Sequence, residues 1–155
     1  MSRLVERLHK GSVKGVISVE VEVFAHSTED PGKVLEAMQF FLPEEVKVRK
    51  EKVRGHHGNE VLIYRVRLLR NEAGRVLRRI AAKMREEDRR RLAKQFYLRV
   101  DGRGNLYLRF DKQKAFLKEV ILSSDEDVVK VKVKFPTNKP EEIYEICRDV
   151  GLVQE

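Results

Sequence analysis

With 155 residues, 41% of them hydrophobic, the chain has the size and composition of one compact domain with a substantial core. It carries 33 Lys and Arg against 25 Asp and Glu, a net +8, and its 37% charged content is weighted towards Lys, Arg and Glu as in heat-adapted proteins. A single cysteine, Cys147, excludes an internal disulfide framework and a thiolate metal cluster, and no run approaches the roughly 20 apolar residues that span a bilayer, so a reducing, cytoplasmic setting without membrane contact is expected.

Residues 1–15 read as a basic N-terminal arm, with Arg3, Arg7, Lys10 and Lys14 and no continuous apolar stretch of the kind a secretory signal needs. Residues 16–155 read as a single α+β domain. Val16 to Ala25 alternates, with Ile17, Val19, Val21 and Val23 on one side and Ser18, Glu20 and Glu22 on the other, which is the pattern of a half-buried strand. Asp30 followed by Pro31 gives a helix its capping carboxylate and its first residue; Val34, Leu35, Met38 and Leu42 recur at helical spacing, and Pro43 closes the segment.

Val46–Arg54 and Glu60–Leu69 are predicted to pair as a hairpin through Gly55-His56-His57-Gly58-Asn59. In the second strand Leu62, Tyr64, Val66 and Leu68 share the core side, so Arg65 and Arg67 project from the other. Asn71 is placed to cap the next helix, whose stripe of Val76, Leu77, Ile80, Ala81 and Met84 lies opposite Arg75, Arg78 and Arg79. For Arg89 to Arg91 two readings compete, a ligand-binding cluster or a solvated helix surface with favourable Glu86–Arg90 and Glu87–Arg91 pairs.

Gln95–Asp101 and Asn105–Asp111 are predicted as a second hairpin around Gly102-Arg103-Gly104. Pairing Asp101 with Asn105 puts Leu98, Val100, Leu106 and Leu108 inside and Tyr97, Arg99, Tyr107 and Arg109 outside. A short helix over Asp111–Val120 follows, then a strand over Val128–Phe135 with Lys130, Lys132 and Lys134 outward. Those lysines suit either a polyanion or protection of a sheet edge. Pro140 opens a last helix, with Ile143, Ile146 and Val150 inward and Gly151 at its end. Six strands and four or five helices without regular alternation imply a largely antiparallel sheet packed with helices.

The charge is local along the chain. Arg65 to Lys94 holds 12 basic and four acidic residues, a net +8, and the remainder balances. Ten of the 12 bases are arginine, whose planar fork grips phosphate oxygens in pairs and stacks on bases. RNA is therefore the expected partner, bound through the Arg75–Arg79 helix and a sheet face that mixes aromatic rings with arginine. Catalytic chemistry has thin support. Adjacent His56 and His57 point to opposite sides of an extended chain, and Asp101 and Asp111 would have to join them to form a metal-dependent ribonuclease. Gly102-Arg103-Gly104 lacks the lysine and helix of a phosphate loop, and no cofactor is expected. A third possibility is a protein-interaction subunit whose basic surface meets an acidic partner.

The strings ISVEVEVFAHSTEDPGKVLEA, GHHGN, LRVDGRGNLYLRFDKQKAFL and VVKVKVKF, in that order, resemble an archaeal family of small RNA-binding proteins described as predicted exosome subunits. The resemblance covers Ile17 to Phe135. It implies a fold like that of the large-subunit ribosomal protein that binds 5S rRNA and a non-catalytic role in RNA processing or degradation, with exosome or ribosomal components as further partners. By position it marks His56, His57, Asn59, Arg99, Tyr107, Arg109 and Lys112, with Asp101 and Asp111 flanking turns that they anchor.

Overall fold

The computed structural model describes residues 15–44, 46–55 and 57–155, so nearly all of the basic arm lies outside the described residues. Five strands, β1 (Ser18–Ala25), β2 (Arg49–Arg54), β3 (Glu60–Leu69), β4 (Asn105–Asp111) and β5 (Val128–Lys134), form one sheet in the order β2-β3-β1-β5-β4. Every neighbouring pair is antiparallel. Five helices accompany it among the described residues: α1 (Pro31–Gln39), α2 (Arg70–Lys83), α3 (Glu86–Arg99), α4 (Lys112–Phe116) and α5 (Pro140–Val150). This is the expected α+β class.

Strand alternation decides which side of the sheet is covered. Val19, Val21, Val23, Val66, Leu106, Leu108, Phe110, Val129, Val131 and Val133 are buried beneath the helices, together with Met38, Phe41, Leu77, Ile80, Phe96 and Ile143 from the helical layer. Phe41 of the α1 terminus stacks at 5.4 Å on Phe110 of β4, locking the two layers together. Burial of large side chains at such density supplies the main driving force, about 1.5–3 kcal/mol for each fully buried residue before entropy is subtracted. The intervening strand residues face the other side of the sheet, where α3 comes near only at the β4 edge.

Local signals place the elements. Asp30 accepts from the Gly32 N–H at 2.9 Å with Pro31 at the first helical position, as its sequence implies. The helix stops at Gln39, ahead of Pro43. Gly151, at φ 94°, closes α5 in the left-handed conformation that costs a glycine least. Asn71 is not the cap of α2. That helix begins one residue earlier, with Leu69 at the capping position and no side-chain hydrogen bond there.

The largest correction concerns Gln95–Asp101, which is not a strand. Residues 86–99 form one helix, α3, because Leu92 and Phe96 are buried at i,i+4 and Glu86, Glu87 and Asp88 sit in the first turn where the helix dipole favours acids. The alternation of Phe96, Leu98 and Val100 imitated a strand, yet Leu98 is 85% exposed. The Gly102-Arg103-Gly104 turn is as expected, with the Asp101 N–H donating to the Asn105 carbonyl at 3.0 Å, but only Val100 bridges back to Leu106. Gly104, at φ 86°, is required there: a Cβ would lie 2.5 Å from the Thr137 carbonyl oxygen.

Candidate nucleic-acid interface

The uncovered side of the sheet is a concave trough of about 740 Å³. Strand register aligns its side chains in rows that run across the strands. One row crosses all five: Arg49, Arg65, Glu22, Lys130, Arg109. The next is Arg67, Glu20, Lys132, Tyr107. Six cations thus surround a column of two glutamates on the central strand.

The glutamates position the cations. Glu22 holds the Arg65 Nε at 2.5 Å, and Glu51 lies 3.1 Å from the other end of that guanidinium. Hydrogen bonding to Glu22 and its charge raise the Arg65 pKa further above its ordinary value. Glu20 lies 3.7 Å from Arg67 and 3.9 Å from Lys132. Exposed pairs of this kind contribute little to stability, and only the hydrogen-bonded Arg65 fork is oriented by them. Lys130, Arg49 and Arg109 have no carboxylate partner among the described residues and leave the trough a surplus of positive charge.

Tyr107 is the aromatic ring of the trough. Its hydroxyl donates to Asp101 at 2.8 Å, and the Lys132 ammonium stands 6.0 Å from the ring centre. Asp101 also accepts from the backbone N–H of Arg103 and Asn105 and from the Asn105 side chain. Burial disfavours its charged form, but these donors outweigh burial and hold its pKa well below the usual carboxylate range. The bond to Asp101, with burial behind it, pushes the Tyr107 phenol upwards. Asp101 is thus the anchor of its turn, and it fixes the direction in which the Tyr107 side chain lies.

The structure disperses the other sequence-predicted residues. β5 is interior, lying between β1 and β4, so its lysines are not guards of a sheet edge. Lys130 and Lys132 face the trough, but Lys134 bonds the Arg103 carbonyl and braces the turn. The edges are β4, partly covered by isolated bridges from Val100 and Leu122, and β2, whose exposed Arg-Lys-Glu-Lys-Val-Arg sequence is suited to resist pairing. Asn59 and His57 are exposed in the β2–β3 loop, while His56 lies outside the described residues. Lys112 is a correction: it is 3% exposed, and its ammonium binds the Phe24 carbonyl, Glu29 and Asp127 at 2.7–3.0 Å, so it ties α4 to β1 and is closed to a ligand.

The arginine run also comes apart in space. Arg75 is exposed and Arg78 half-buried on α2, a helix of the layer opposite the trough, while Arg79 donates to the Phe40 and Leu42 carbonyls at 3.2 and 2.9 Å and closes the end of α1. Arg85 and Arg91 converge on buried Asp88, whose carboxylate also accepts from the Leu122 N–H. Arg90 pairs with Glu86 at 2.7 Å, and Arg89 donates to the Ala81 carbonyl at 3.3 Å. Helix electrostatics and backbone tethering therefore account for much of residues 85–91. Tyr97 and Arg99, predicted on the sheet face, stand on α3. Arg49 was absent from the sequence-derived site, although the hairpin register that exposes Arg65 also exposes it.

The residues considered for a ribonuclease do not assemble. Asp101 is committed to its turn, Asp111 caps α4 by accepting from the Lys114 N–H, and the histidine loop lies three to four strand spacings from β4, on the order of 15–19 Å. No group of three metal-ligating side chains occurs among the described residues. Cys147 is fully buried, and burial pushes its thiol pKa up, away from nucleophilic use.

Comparison with known proteins gives a consistent result. A family model described as RNA binding matches residues 18–135. A protein of Pyrococcus abyssi named RNA-binding protein PAB1135 is 36% identical over 131 residues, covering 79% of this chain and 85% of its own. The structure of Mth689, a DUF54 protein from Methanothermobacter thermautotrophicus, superposes with a TM-score of 0.73 at 30% identity, covering 89% of this chain and 99% of that one. A UPF0201 protein from Methanococcus jannaschii shares the fold alone, with a TM-score of 0.60 at 15% identity over 87% of this chain and 99% of that one.

Proposed function

This chain belongs to the RNA-binding family, and from that premise we propose that it receives single-stranded or looped RNA along the open side of its sheet. The observation that carries the reading is the row Arg49, Arg65, Lys130 and Arg109, which lines up cations from four strands on either side of the central Glu22, beside an exposed tyrosine. Phosphates along an RNA strand meet the cations, and their counterions are released. A base stacks on Tyr107, whose side chain Asp101 already holds in direction, so less ordering remains when RNA arrives. Arg65, hydrogen-bonded to Glu22 and Glu51, presents its remaining N–H groups in a fixed direction, and Arg67 stands beside it near Glu20.

The role fits a non-catalytic module of RNA processing or degradation in the cytoplasm, delivering or holding substrate for an assembly such as the exosome. RNA affinity and its dependence on salt test the surface. Replacing Arg109, Lys130 and Lys132 together with Gln should weaken binding and flatten the salt slope by about two, since each phosphate contact to a single strand contributes roughly 0.7. An unchanged slope in a folded triple variant places the RNA elsewhere.

A further inference from the structure

A second cavity adjoins the trough. It lies between α3 and β4, and Tyr107 and Arg109 line both spaces, so a strand leaving the trough over β4 meets it directly. Arg91, Gln95 and Arg99 enter it from α3, Arg109 from β4, and Ser123 and Ser124 from the segment that precedes β5. No carboxylate lines it. Its volume is about 70 Å³, where roughly 10–15 Å³ admits one water, so it has room for a group of a few heavy atoms and too little for a nucleobase.

The donors in it are underused. Arg99 bonds only the Gln95 side chain, at 3.2 Å, and has no acidic partner among the described residues. Arg109 donates Nη2 to the Asp125 carbonyl at 2.9 Å, while its Nε is buried without any acceptor. A buried guanidinium N–H left in that state is costly unless something else occupies the site. Arg91 is held by Asp88 and supplies the wall with a fixed fork. Ser123 Oγ accepts from the Asp125 N–H, which leaves its proton free to donate, and Ser124 is exposed at the mouth.

We propose that this cavity is a receptor for a phosphate monoester, the terminal phosphate of an RNA chain whose body lies in the trough. A monoester brings nearly two negative charges and three acceptor oxygens, whereas a phosphodiester within the chain brings one charge and two free oxygens. Two uncompensated guanidinium groups and two serine hydroxyls match the monoester. The inference rests on the sheet face being the RNA surface and adds that the protein senses the end of the chain.

The test uses three oligoribonucleotides of one sequence, carrying a 5′-phosphate, a 3′-phosphate, or hydroxyls at both ends. One of the phosphorylated forms should bind about tenfold tighter than the hydroxyl-ended form, the effect of one or more charge-assisted bonds. Arg99→Gln and Ser124→Ala should each reduce that preference while leaving affinity for hydroxyl-ended RNA unchanged. Equal affinity for all three RNAs overturns the proposal, as does a loss in Arg99→Gln that is the same for every RNA. Failure of the trough itself is read separately, from Lys130→Gln on the hydroxyl-ended RNA.

Discussion

The open side of the sheet and α2 both carry arginines, but only the sheet gathers cations from distant parts of the chain into aligned rows. In the sheet, cations contributed by four strands are brought together by register around two glutamates of the central strand, beside a hydrogen-bonded tyrosine. On α2, Arg75 and Arg78 stand on a convex helix surface, and the third member of that stripe, Arg79, is committed to the carbonyls that end α1. Charge that is dense along the chain is thus divided between two sides of the molecule. Charge gathered from distant parts of the chain converges on one. A polyanion responds to the second kind of density, because counterion release depends on how many phosphates are neutralised together.

The largest expected effect tests that contrast directly. Reversing Arg109 and Lys130 to Glu should lower RNA affinity by more than about a hundredfold at moderate salt, since two attractive contacts become repulsive. Reversing Arg75 and Arg78 in the same way should change it by only about threefold or less, through the general field of the molecule. Fluorescence anisotropy on both double variants, with circular dichroism to confirm folding, measures the difference. Equal losses would mean that RNA wraps both sides. A triple reversal that included Arg79 would be a poorer experiment, because it also strips the cap from α1.

A smaller effect sharpens the chemistry of the sheet side. Tyr107→Ala should cost about 1–3 kcal/mol of binding if a base stacks there, with little dependence on which base it is. Tyr107→Phe keeps the ring and loses only the hydrogen bond to Asp101, so its affinity should remain within a fewfold of the parent. A loss in both variants of similar size would assign the role to the hydroxyl.

Asp101→Asn comes next. At neutral pH it should lower stability by about 1.5 kcal/mol, the low end for hydrogen bonds to a charged group, since the turn is partly exposed. The pH dependence has a definite sign. The folded-state pKa of Asp101 lies below its unfolded value, so its contribution is present above about pH 4 and is lost as pH falls through the folded value. Urea titrations should therefore show the parent's advantage over Asp101→Asn at pH 7 and its disappearance in strong acid. A constant gap across that range would show that the amide fails for shape and not for charge.

Much of this arrangement was legible in the sequence because strands report their own parity. Alternation alone placed Glu20, Glu22, Arg65, Arg67, Tyr107, Arg109, Lys130 and Lys132 outward, and each of them lines the trough. Strand order was not legible. Parity says which way a side chain points and nothing about its neighbour across the sheet, so the row from Arg49 to Arg109 and the interior position of β5 emerged only from the fold. Lys112 was misread for a related reason: its burial depends on Glu29 and Asp127, which approach it from elsewhere in the chain.

The smallest expected effect bears on the one element read as the wrong type. If residues 95–101 formed a strand, Leu98 would face the core alongside Leu106 and Leu108, and a charge there would cost several kcal/mol or prevent folding. In the helix that the chain forms, Phe96 is buried and Leu98 lies on the solvent side of α3. Leu98→Asp should then change stability by no more than about 0.5 kcal/mol, whereas Phe96→Ala should cost about 3–5 kcal/mol. Chemical denaturation of the two variants decides it. A tolerant Leu98 also isolates the binding question, because a negative charge on that part of α3 would leave the trough's own cations unopposed and RNA affinity nearly unchanged.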